Sequence, residues 1–286
     1  MSVEPAKLRE WVSDPVLEYY ESKTDSILDR YGPGPRVHFH TGFLDEPVTQ
    51  GTPAQLRSEL QESQERMLRD AADAWDLRRI VFRQVLDAGC GLGGTAIFCA
   101  LEFGSDVTAI TIAPSHVPLV ARFSAEAGAS SRVHPFLCDA LKMPGKNRFD
   151  AIIAIDSSSC FNRRPWFRRA TELLRPGGRL FVADCFLEKE AYREPFNRHW
   201  CARIGTVEEY LAAATGLTPE RCEDVSPLAA NFWGTTTALI RLEAQAANGN
   251  HAESLKKDES LRIHTLMRSG LLDGGLRHVL MSFIKS

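Results

Sequence analysis

The sequence predicts an α/β protein with a doubly wound, mainly parallel sheet, preceded by a helical N-terminal cap. Through the middle of the chain, short apolar runs alternate with longer amphipathic stretches, which is the pattern of successive β-α-β units. Directly after the first apolar run, the segment VLDAGCGLGGT at 85–95 crowds glycines together, as a strand does where it turns into a helix beside a ligand. We therefore assign residues 81–286 to the core and residues 1–80 to the cap.

The core strands are predicted to be short and rich in Val, Ile, Leu and Phe, as strands buried on both faces are. They are 83–87, 106–111, 133–138, 151–155 and 179–183. Helices are predicted at 95–103, 115–127 and 166–174, the last ended by the Pro-Gly-Gly segment at 176–178. The polar stretch at 243–260 is interpreted as a linker or a loosely packed helical insertion, which places an insertion near 243–270. A helix, a Gly-Gly turn and a final strand follow.

The N-terminal cap is predicted to be mainly helical, with one irregular segment. Thr52 followed by Pro53 is a favourable helix N-cap with proline at the first helical position. The preceding stretch at 31–47 is rich in glycine and proline, which rules out regular structure there. Long loops retained in compact proteins are more often functional than idle, so this loop is a candidate active-site lid.

Composition and charge exclude several classes of protein. A net charge of −3 leaves no basic footprint for a nucleic acid. No run approaches the roughly 18 apolar residues of a membrane-spanning helix, and the first residues lack the features of a signal peptide, so we expect a cytoplasmic protein without a membrane partner. The seven cysteines are scattered, without a CxxC pair, which predicts reduced thiols and no metal site.

The glycine loop carries the first functional signal. Glycines alone are weak evidence, because a tight strand-to-helix turn without a ligand has them too. Here Asp87 closes the strand just before the glycines, and Asp139 ends the third predicted strand. A carboxylate at this place opposes a pyrophosphate but suits a ligand that carries an amino group, and the spacing D-x-G-x-G-x-G also differs from the dinucleotide fingerprint.

This arrangement resembles the class I S-adenosylmethionine-dependent methyltransferases over essentially the whole core. The resemblance implies a seven-stranded Rossmann-like sheet and S-adenosyl-L-methionine as the cofactor. In that family the glycine motif holds the methionine moiety and ribose, and an acid at the third strand end contacts the adenine amino group. The cofactor-binding residues carried over to this sequence are Asp87, Gly89, Gly91, Asp139 and its neighbour Ala140.

The end of the second strand, VTAITIAPSHV, indicates a subgroup. It resembles the V-T-G-I-T-L-S-x-x-Q segment of the cyclopropane fatty acid synthase, sterol and tocopherol C-methyltransferase group, in which a threonine-containing turn and a glutamine contact the ribose. Thr111 and Ile112 match, and His116 stands where glutamine is usual. Ribose contact is therefore implied for His116, and a surface histidine in the first turn of a helix is the alternative.

Two N-terminal segments point to the acceptor. Tyr19, Lys23 and Thr24, followed by His38 and His40, resemble the segments with which geranyl diphosphate C-methyltransferases fold over their active site. Methylation of an alkene leaves a carbocation, so the pocket must be dry, apolar and aromatic. The candidate pocket walls are Tyr19, Tyr20, Phe161, Trp200, Phe232 and Trp233.

The segment DSSSCF at 156–161 departs from that resemblance, because it lacks the glutamate that takes the proton from the cation in those enzymes. Asp156, His38 or His40 then becomes the candidate base, or the cation rearranges and cyclises, as in bacterial enzymes such as the teleocidin C-methyltransferase. Contact with the cofactor is the favoured role of Asp156. The basic run at 162–169 either pairs with a diphosphate, with magnesium (Mg2+) as a further cofactor, or is the solvated start of a surface helix.

The sequence thus predicts a C-methyltransferase of secondary metabolism that acts on an isoprenoid alkene, free as a diphosphate or attached to an alkaloid. A homo-oligomer is compatible with the sequence. One alternative is an N- or O-methyltransferase of a small aromatic or amine natural product, in which His38, His40 and Asp156 deprotonate the acceptor. A second alternative is a non-catalytic scaffold that only binds the cofactor.

Overall fold

The computed structural model describes residues 14–79, 82–246 and 251–286. Within these residues the strands are β1 (Gln84–Ala88), β2 (Asp106–Thr111), β3 (Val133–Leu137), β4 (Phe149–Ile155), β5 (Leu174–Leu187), β6 (Leu217–Asp224) and β7 (Leu276–Lys285). They form one seven-stranded sheet in the order β3-β2-β1-β4-β5-β7-β6. The first five strands are parallel, and β7 runs antiparallel between β5 and β6. The predicted doubly wound, mainly parallel sheet is confirmed.

Helices cover both faces of the sheet. They are α1 (Asp14–Tyr31), α2 (Pro53–Ala74), α3 (Gly94–Phe103), α4 (His116–Glu126), α5 (Arg163–Leu173), α6 (Arg193–Trp200), α7 (Val207–Ala213), α8 (Ser226–Ala246) and α9 (His251–Leu272). Both α1 and α2 fall in the predicted cap, of which residues 1–13 and 80 lie outside the described part of the chain. The stretch between these two helices contains no helix or strand, as its glycines and prolines predict.

Alternation along the strands sorts the core into two layers. In β4, Ala151, Ile153 and Ile155 join a cluster that contains apolar residues of α2, α3, α8 and α9. Phe149 and Ile152 face the other way and join residues of α5 and α7. Burial on both faces explains why each strand reads as a nearly continuous apolar run in the sequence.

The order in which the strands are added to the sheet reverses at β1. The strands β2 and β3 lie on one side of β1, and β4 lies on the other. The chain therefore leaves β1 and β4 toward helices on opposite faces, which opens a crevice at the carboxyl ends of these strands. The glycine loop, the end of β2 and the end of β4 meet at this crevice.

The largest departure from the sequence prediction is the extent of β5, which runs from Leu174 to Leu187 instead of over 179–183. Its carboxyl half pairs with β7 as far as Leu187 opposite Leu276, and this partner is distant in sequence. At the other end, the Pro-Gly-Gly segment lies inside β5, where the pairing with β4 shifts register between Phe149 and Ala151. Local pattern alone does not reveal either feature.

The C-terminal prediction of a helix, a turn and a final strand is confirmed by α9, the turn at 273–275 and β7. The predicted linker or helical insertion is helical on both sides, while residues 247–250 lie outside the described residues. In the part of the chain that is described, no helix is both long and apolar enough to cross a membrane. All seven cysteines lie in that part and are free thiols.

Candidate active site

A cavity of about 280 Å³ opens at the crevice between the glycine loop and the loop that follows α1. Its lining comes from the carboxyl ends of β1, β2, β3 and β4, because these ends meet at one edge of a parallel sheet. Every residue that the sequence analysis assigned to the cofactor lies in this lining. They are Asp87, Gly89, Gly91, Thr111, Ile112, His116, Asp139, Ala140 and Asp156.

Two glycines of the loop shape the cavity in different ways. Gly91 has a φ of +52°, and a Cβ atom built there would meet no atom within 4 Å, so its backbone borders open space. A Cβ at Gly94, the first residue of α3, would instead collide with the imidazole of His38 and the carbonyl of Val37. The loop over the site thus lies directly on the N-terminus of α3.

Asp87 is the buried carboxyl of the cavity. Its side chain is 3% exposed, and its Oδ2 has no hydrogen-bond partner in the described part of the chain. Burial raises the pKa of Asp87 to about 7, although the backbone N–H of Ala96 partly opposes the shift. A buried carboxyl with a free oxygen beside a cavity is costly without a ligand, so this position fits a cofactor that brings an amino group.

Asp139 and Thr111 each use one side-chain oxygen to shape the cavity edge. Asp139 Oδ1 accepts a hydrogen bond from the Leu141 N–H at 2.9 Å, and Thr111 Oγ1 accepts one from the Ala113 N–H at 3.1 Å. Burial raises the pKa of Asp139, which the Leu141 N–H partly offsets. The second oxygen of Asp139 remains for a donor such as an exocyclic amino group.

His116 is 2% exposed, so the alternative of a surface histidine is wrong. Its Nε2 lies 3.0 Å from Thr24 Oγ1, and that hydroxyl donates its own hydrogen to the Tyr20 carbonyl. The Nε2 atom therefore carries the proton. Burial lowers the pKa of His116, which favours the neutral ring, and Nδ1 has no partner among the described residues. A neutral imidazole of this kind can accept a hydrogen bond from a hydroxyl.

Two histidines of the loop form a closed hydrogen-bonded chain. His40 Nδ1 lies 2.9 Å from the Thr41 carbonyl, which can only accept, so this nitrogen is protonated. Burial and the nearby His38 lower the pKa of His40 to about 3, so Nε2 keeps a lone pair, which accepts from His38 Nδ1 at 3.2 Å. His38 Nε2 lies 3.0 Å from Glu65 Oε1.

Glu65 is the anionic end of this chain of hydrogen bonds. Partial burial acts to raise the pKa of Glu65, but the hydrogen bonds and charges of His38 and Arg36 outweigh it and lower that pKa to about 2. The ionised carboxylate can only accept, so His38 Nε2 donates to it. In this arrangement all four ring nitrogens of His38 and His40 are used, and neither ring has a lone pair free for an acceptor.

Asp156 joins the loop to the sheet. Its Oδ2 accepts from the Thr41 N–H at 2.6 Å, and its Oδ1 lies 3.1 Å from His278 Nε2 on β7. Burial acts to raise the pKa of Asp156, but the charge and hydrogen bond of His278 and the Thr41 N–H outweigh it, so the pKa lies below its ordinary value. Asp156 is therefore a carboxylate at neutral pH, held on both oxygens.

A second cavity of about 60 Å³ lies next to the first. Tyr20, Phe39, His40, Asp156 and Cys160 belong to the lining of both. Its walls are mainly aromatic. The rings are Tyr20, Tyr31, Phe39, Phe196, Trp200, Phe232 and Trp233.

Four of the six predicted wall residues line this second cavity, and two lie elsewhere. Phe161 lines the first cavity and packs on Trp166, with ring centroids 4.8 Å apart. Tyr19 belongs to neither lining and contacts the edge of Tyr20 at 5.2 Å. In α1, Tyr19 and Tyr20 are neighbours and cannot face the same way, so only one of them reaches the cavity.

The basic run at 162–169 does not converge on either cavity. Arg163 pairs with Glu209 at 3.0 Å, and Arg169 donates to Glu172 and to the Met143 carbonyl. Of this run, only Asn162 belongs to the lining of the first cavity. The described residues contain no group of three or more His, Cys, Asp or Glu that could hold a metal ion.

The sequence analysis missed several lining residues. Arg203 is an exposed residue that lines the first cavity. Asp184, Cys185 and Met267 line the second. A signal for Asp184 was present, because it is the single acid within the apolar run LFVADCFL of β5, where burial of a carboxylate requires a compensating reason.

Comparison with known proteins agrees with the fold. A family described as "Methyltransferase domain" matches residues 85–178, which include the glycine loop, Asp139 and Asp156. A solved structure of geranyl diphosphate methyltransferase in complex with GPP and sinefungin has a TM-score of 0.77, with 21% identity, and covers 96% of this chain and 99% of that one. A methyltransferase domain is thus recognised at residues 85–178, and the fold is that of the class I S-adenosylmethionine-dependent methyltransferases, as the sequence predicts.

Curated relatives of this chain are also methyltransferases. The 27-O-demethylrifamycin SV methyltransferase of Amycolatopsis mediterranei is 33% identical over 56% of this chain and 62% of its own length. The O-methyltransferase cnsE of Penicillium expansum is 28% identical over 64% of this chain and 65% of its own length. The chain thus spans less than two thirds of the length of these relatives.

Proposed function

We propose that this protein is a C-methyltransferase that transfers the methyl group of S-adenosyl-L-methionine to an alkene carbon of an isoprenoid. The observation that carries the proposal is the aromatic second cavity, which adjoins the predicted cofactor cavity. Ring faces stabilise a cation without reacting with it. A carbocation formed at the junction of the two cavities would be surrounded by such faces and kept from water.

The first cavity supplies a donor or acceptor for each part of the cofactor. Asp87 would hold the amino group of the methionine moiety, and Gly91 leaves space for the chain that follows it. His116 and the turn at Thr111 would take the ribose hydroxyls, and Asp139 the adenine amino group. When bound, the cofactor supplies an electrophilic methyl group on a positively charged sulfur.

The loop over the site keeps water out. His38, Thr41 and Phe43 are 2%, 3% and 0% exposed, and Glu65 and Asp156 are the hydrogen-bond partners of the His38 ring and the Thr41 N–H. A dry site preserves a carbocation, and it also strengthens the attraction between fixed carboxylates and a developing positive charge.

O-methylation of a small natural product is the second candidate, because the names of the two curated relatives above describe methyl transfer to oxygen. Such a reaction gains from a base that removes the hydroxyl proton. His38 and His40, the histidines that the sequence analysis offered for this role, use all their ring nitrogens within the loop. Neither histidine therefore offers a free lone pair to a hydroxyl proton of the acceptor.

The acceptor's polar end is proposed to lie at the mouth of the first cavity. Arg203 and Asn162 line that cavity, and Arg203 is exposed. A guanidinium at an open mouth suits an anionic group such as a diphosphate. Under this proposal Mg2+ would be brought by the diphosphate, and the reaction would belong to terpenoid secondary metabolism.

The test is a product assay with methyl-labelled cofactor against prenyl diphosphates, prenylated indoles, phenols and amines. Each acceptor is incubated with Mg2+ and with a chelator, and the products are analysed by mass spectrometry. We expect label on a carbon of a prenyl chain, with the chelator acting only on diphosphate acceptors. Transfer to phenols or amines alone would overturn the proposal in favour of the second candidate.

A further inference from the structure

Asp184 places a second buried carboxylate in the aromatic cavity. It lies in β5, lines the second cavity and is 2% exposed. Its Oδ2 accepts from the Ser158 hydroxyl at 2.6 Å and from the Ser159 N–H at 2.9 Å. Its Oδ1 accepts one hydrogen bond, from the Cys185 N–H at 2.8 Å. A carboxylate oxygen has two lone pairs, so Oδ1 can still contact a bound molecule.

Two serines of the DSSSCF segment, Ser158 and Ser159, therefore hold the carboxylate of Asp184. The Ser158 hydroxyl donates to the carboxylate and accepts from the Tyr210 hydroxyl, which lies 3.0 Å away. Ser158 and Tyr210 hold the carboxylate in one orientation without belonging to the lining of the second cavity themselves. They are positioning residues for Asp184.

Asp184 differs from Asp156 in having no basic side chain as a partner among the described residues. Asp156 is paired with His278, whereas no ion pair found among the described residues joins Asp184 to an arginine, lysine or histidine. Hydrogen bonds from neutral donors offset only part of the free-energy cost of burying a carboxylate. A buried anion in a cavity of aromatic rings has a clear use when the bound molecule becomes positively charged.

We propose that Asp184 is the anion of the acceptor cavity, which stabilises the positive charge that methyl transfer creates on the acceptor and then takes the proton that this cation loses. This inference rests on the proposed function and adds a catalytic residue to it. It also supplies a carboxylate beside the segment in which the sequence shows no glutamate.

The chemistry balances without a further reagent. The alkene electron pair forms the new carbon–carbon bond, and the carbon–sulfur bond breaks with its pair going to sulfur, which leaves a tertiary carbocation. A carbon–hydrogen bond next to the cation then breaks, its electron pair forms the new double bond, and the proton goes to Oδ1 of Asp184. The carboxyl group later releases this proton to solvent.

The groups around Asp184 suit it to this role. Burial and the nearby Asp156 charge raise the pKa of Asp184 to about 6, which is closer to neutral pH than that of Asp156 and better matched to a base that must also release its proton. Burial raises the pKa of the thiols and phenols that face it, so they are uncharged at neutral pH. The titratable groups that face Asp184 are Asp156, Tyr20, Cys160, Cys185 and Tyr210.

A binding experiment tests the charge without relying on turnover. The probes are N,N-dimethylprenylamine, which is an ammonium ion at neutral pH, and methyl prenyl ether, which has a similar shape and no charge. Affinities are measured by calorimetry with S-adenosylhomocysteine present. We expect wild type to prefer the ammonium probe, and Asp184→Asn to lose roughly tenfold of this preference. Asp106→Asn, which removes an exposed carboxylate on β2, should keep it.

A pH series keeps the test decisive if Asp184→Asn does not fold. In wild type the preference for the ammonium probe should fall between about pH 8 and about pH 5, because Asp184 takes up a proton there while Asp156 stays ionised. A wild type that binds both probes equally would overturn the inference. So would a folded Asp184→Asn variant with normal S-adenosylhomocysteine affinity and an unchanged preference.

Turnover separates this inference from the proposed function. Absence of methylated prenyl products from wild type would contradict the function, while the two probes would still decide whether Asp184 provides the negative charge. If wild type methylates a prenyl chain, Asp184→Asn should lower kcat roughly a hundredfold with little change in KM. The fall of kcat in acid, which wild type should show, is expected to be lost in Asp184→Asn. Ser158→Ala should largely keep it.

Discussion

His278 Nε2 lies 3.1 Å from Asp156 Oδ1, so the antiparallel strand β7 provides the partner of the carboxylate that anchors the loop over the active site. The two residues are 122 positions apart. His278 is 1% exposed and the Asp156 side chain 20%, so solvent screens their interaction only weakly. This contact joins the end of β4 to β7, a strand that lies far from the glycine loop in the sequence.

Replacing His278 by Gln should destabilise the protein by about 2 to 3 kcal/mol, because it removes the buried imidazole that contacts Asp156 Oδ1 and lowers the pKa of Asp156. The measurement is denaturant-induced unfolding at several pH values. The folded-state pKa of Asp156 is depressed, so its contribution is present above the ordinary pKa of about 4 and is lost as the pH falls through the folded-state value. The difference between wild type and His278→Gln should therefore be largest near neutral pH and shrink in acid.

His134→Gln is the matched control, because His134 forms the same kind of pair with Asp106 at 2.6 Å, with the side chains 44% and 42% exposed. An exposed pair contributes less than about 1 kcal/mol. Equal losses in the two variants would mean that the Asp156 pair is no more important than a surface contact.

Gly91→Arg should abolish cofactor binding while leaving a folded protein. Gly91 borders open cavity space at a φ of +52°, so the new side chain would fill the place expected for the cofactor. Gly104→Arg is the control, since Gly104 has a φ of +64° and also meets no atom within 4 Å, but does not belong to the cavity lining. Calorimetry with S-adenosylhomocysteine should show binding to Gly104→Arg alone, and normal affinity in Gly91→Arg would mean that the cofactor site is misplaced.

Asp87→Asn should make the cofactor-free protein more stable at about pH 8 by on the order of 2 kcal/mol. The folded-state pKa of Asp87 is raised to about 7, so ionisation of this carboxyl opposes folding and stability falls as the pH rises from about 4 through 7. Asn carries no charge and removes this loss. The same variant should bind S-adenosylhomocysteine at least tenfold more weakly, because the partner of the amino group has lost its charge.

Asp106→Asn should change stability with the opposite sign, which makes it a useful control for Asp87→Asn. Partial burial of Asp106 acts to raise its pKa, but hydrogen bonds from Gln84 and His134 outweigh it and lower that pKa. Its ionised form therefore stabilises the protein slightly. Unfolding curves in which Asp87→Asn is less stable than wild type at about pH 8 would contradict the assignment of a destabilising buried carboxylate.

The cofactor half of the site could be read from the sequence because parallel strands bring their carboxyl ends to one edge. Asp87, the glycines and Asp139 each follow a recognisable strand, so their positions along the chain determine their positions in space. His116 also lies there, although its burial depends on Thr24 of α1, which is 92 residues away. The local sequence pattern predicted that His116 lies at the end of β2, but not that it is buried against α1.

The acceptor half could be predicted only in part. Its walls come from α1, the loop after it, α6, α8 and α9, whose helical periodicity does not say which ring faces a cavity and which faces the core. Tyr19 and Tyr20 show this, since only Tyr20 lines the cavity. The roles of His278 and Asp184 depend on strand register in the antiparallel pair of β5 and β7, where Asp184 stands opposite Val279, and no local signal specifies that register.

Glu65→Gln should loosen the loop over the site by removing the carboxylate charge that holds His38 and Arg36. Glu65 contacts both His38 and Arg36, and a neutral amide accepts hydrogen bonds from these side chains less strongly than a carboxylate does. We expect the loop amides at 37–42 to exchange with deuterium roughly tenfold faster, which corresponds to about 1.4 kcal/mol of local stability. Glu62→Gln, on the same helix and bonded only weakly to Ser58 at 3.3 Å, should leave these amides unchanged. Equal exchange in both variants would show that the histidine chain does not hold the loop closed.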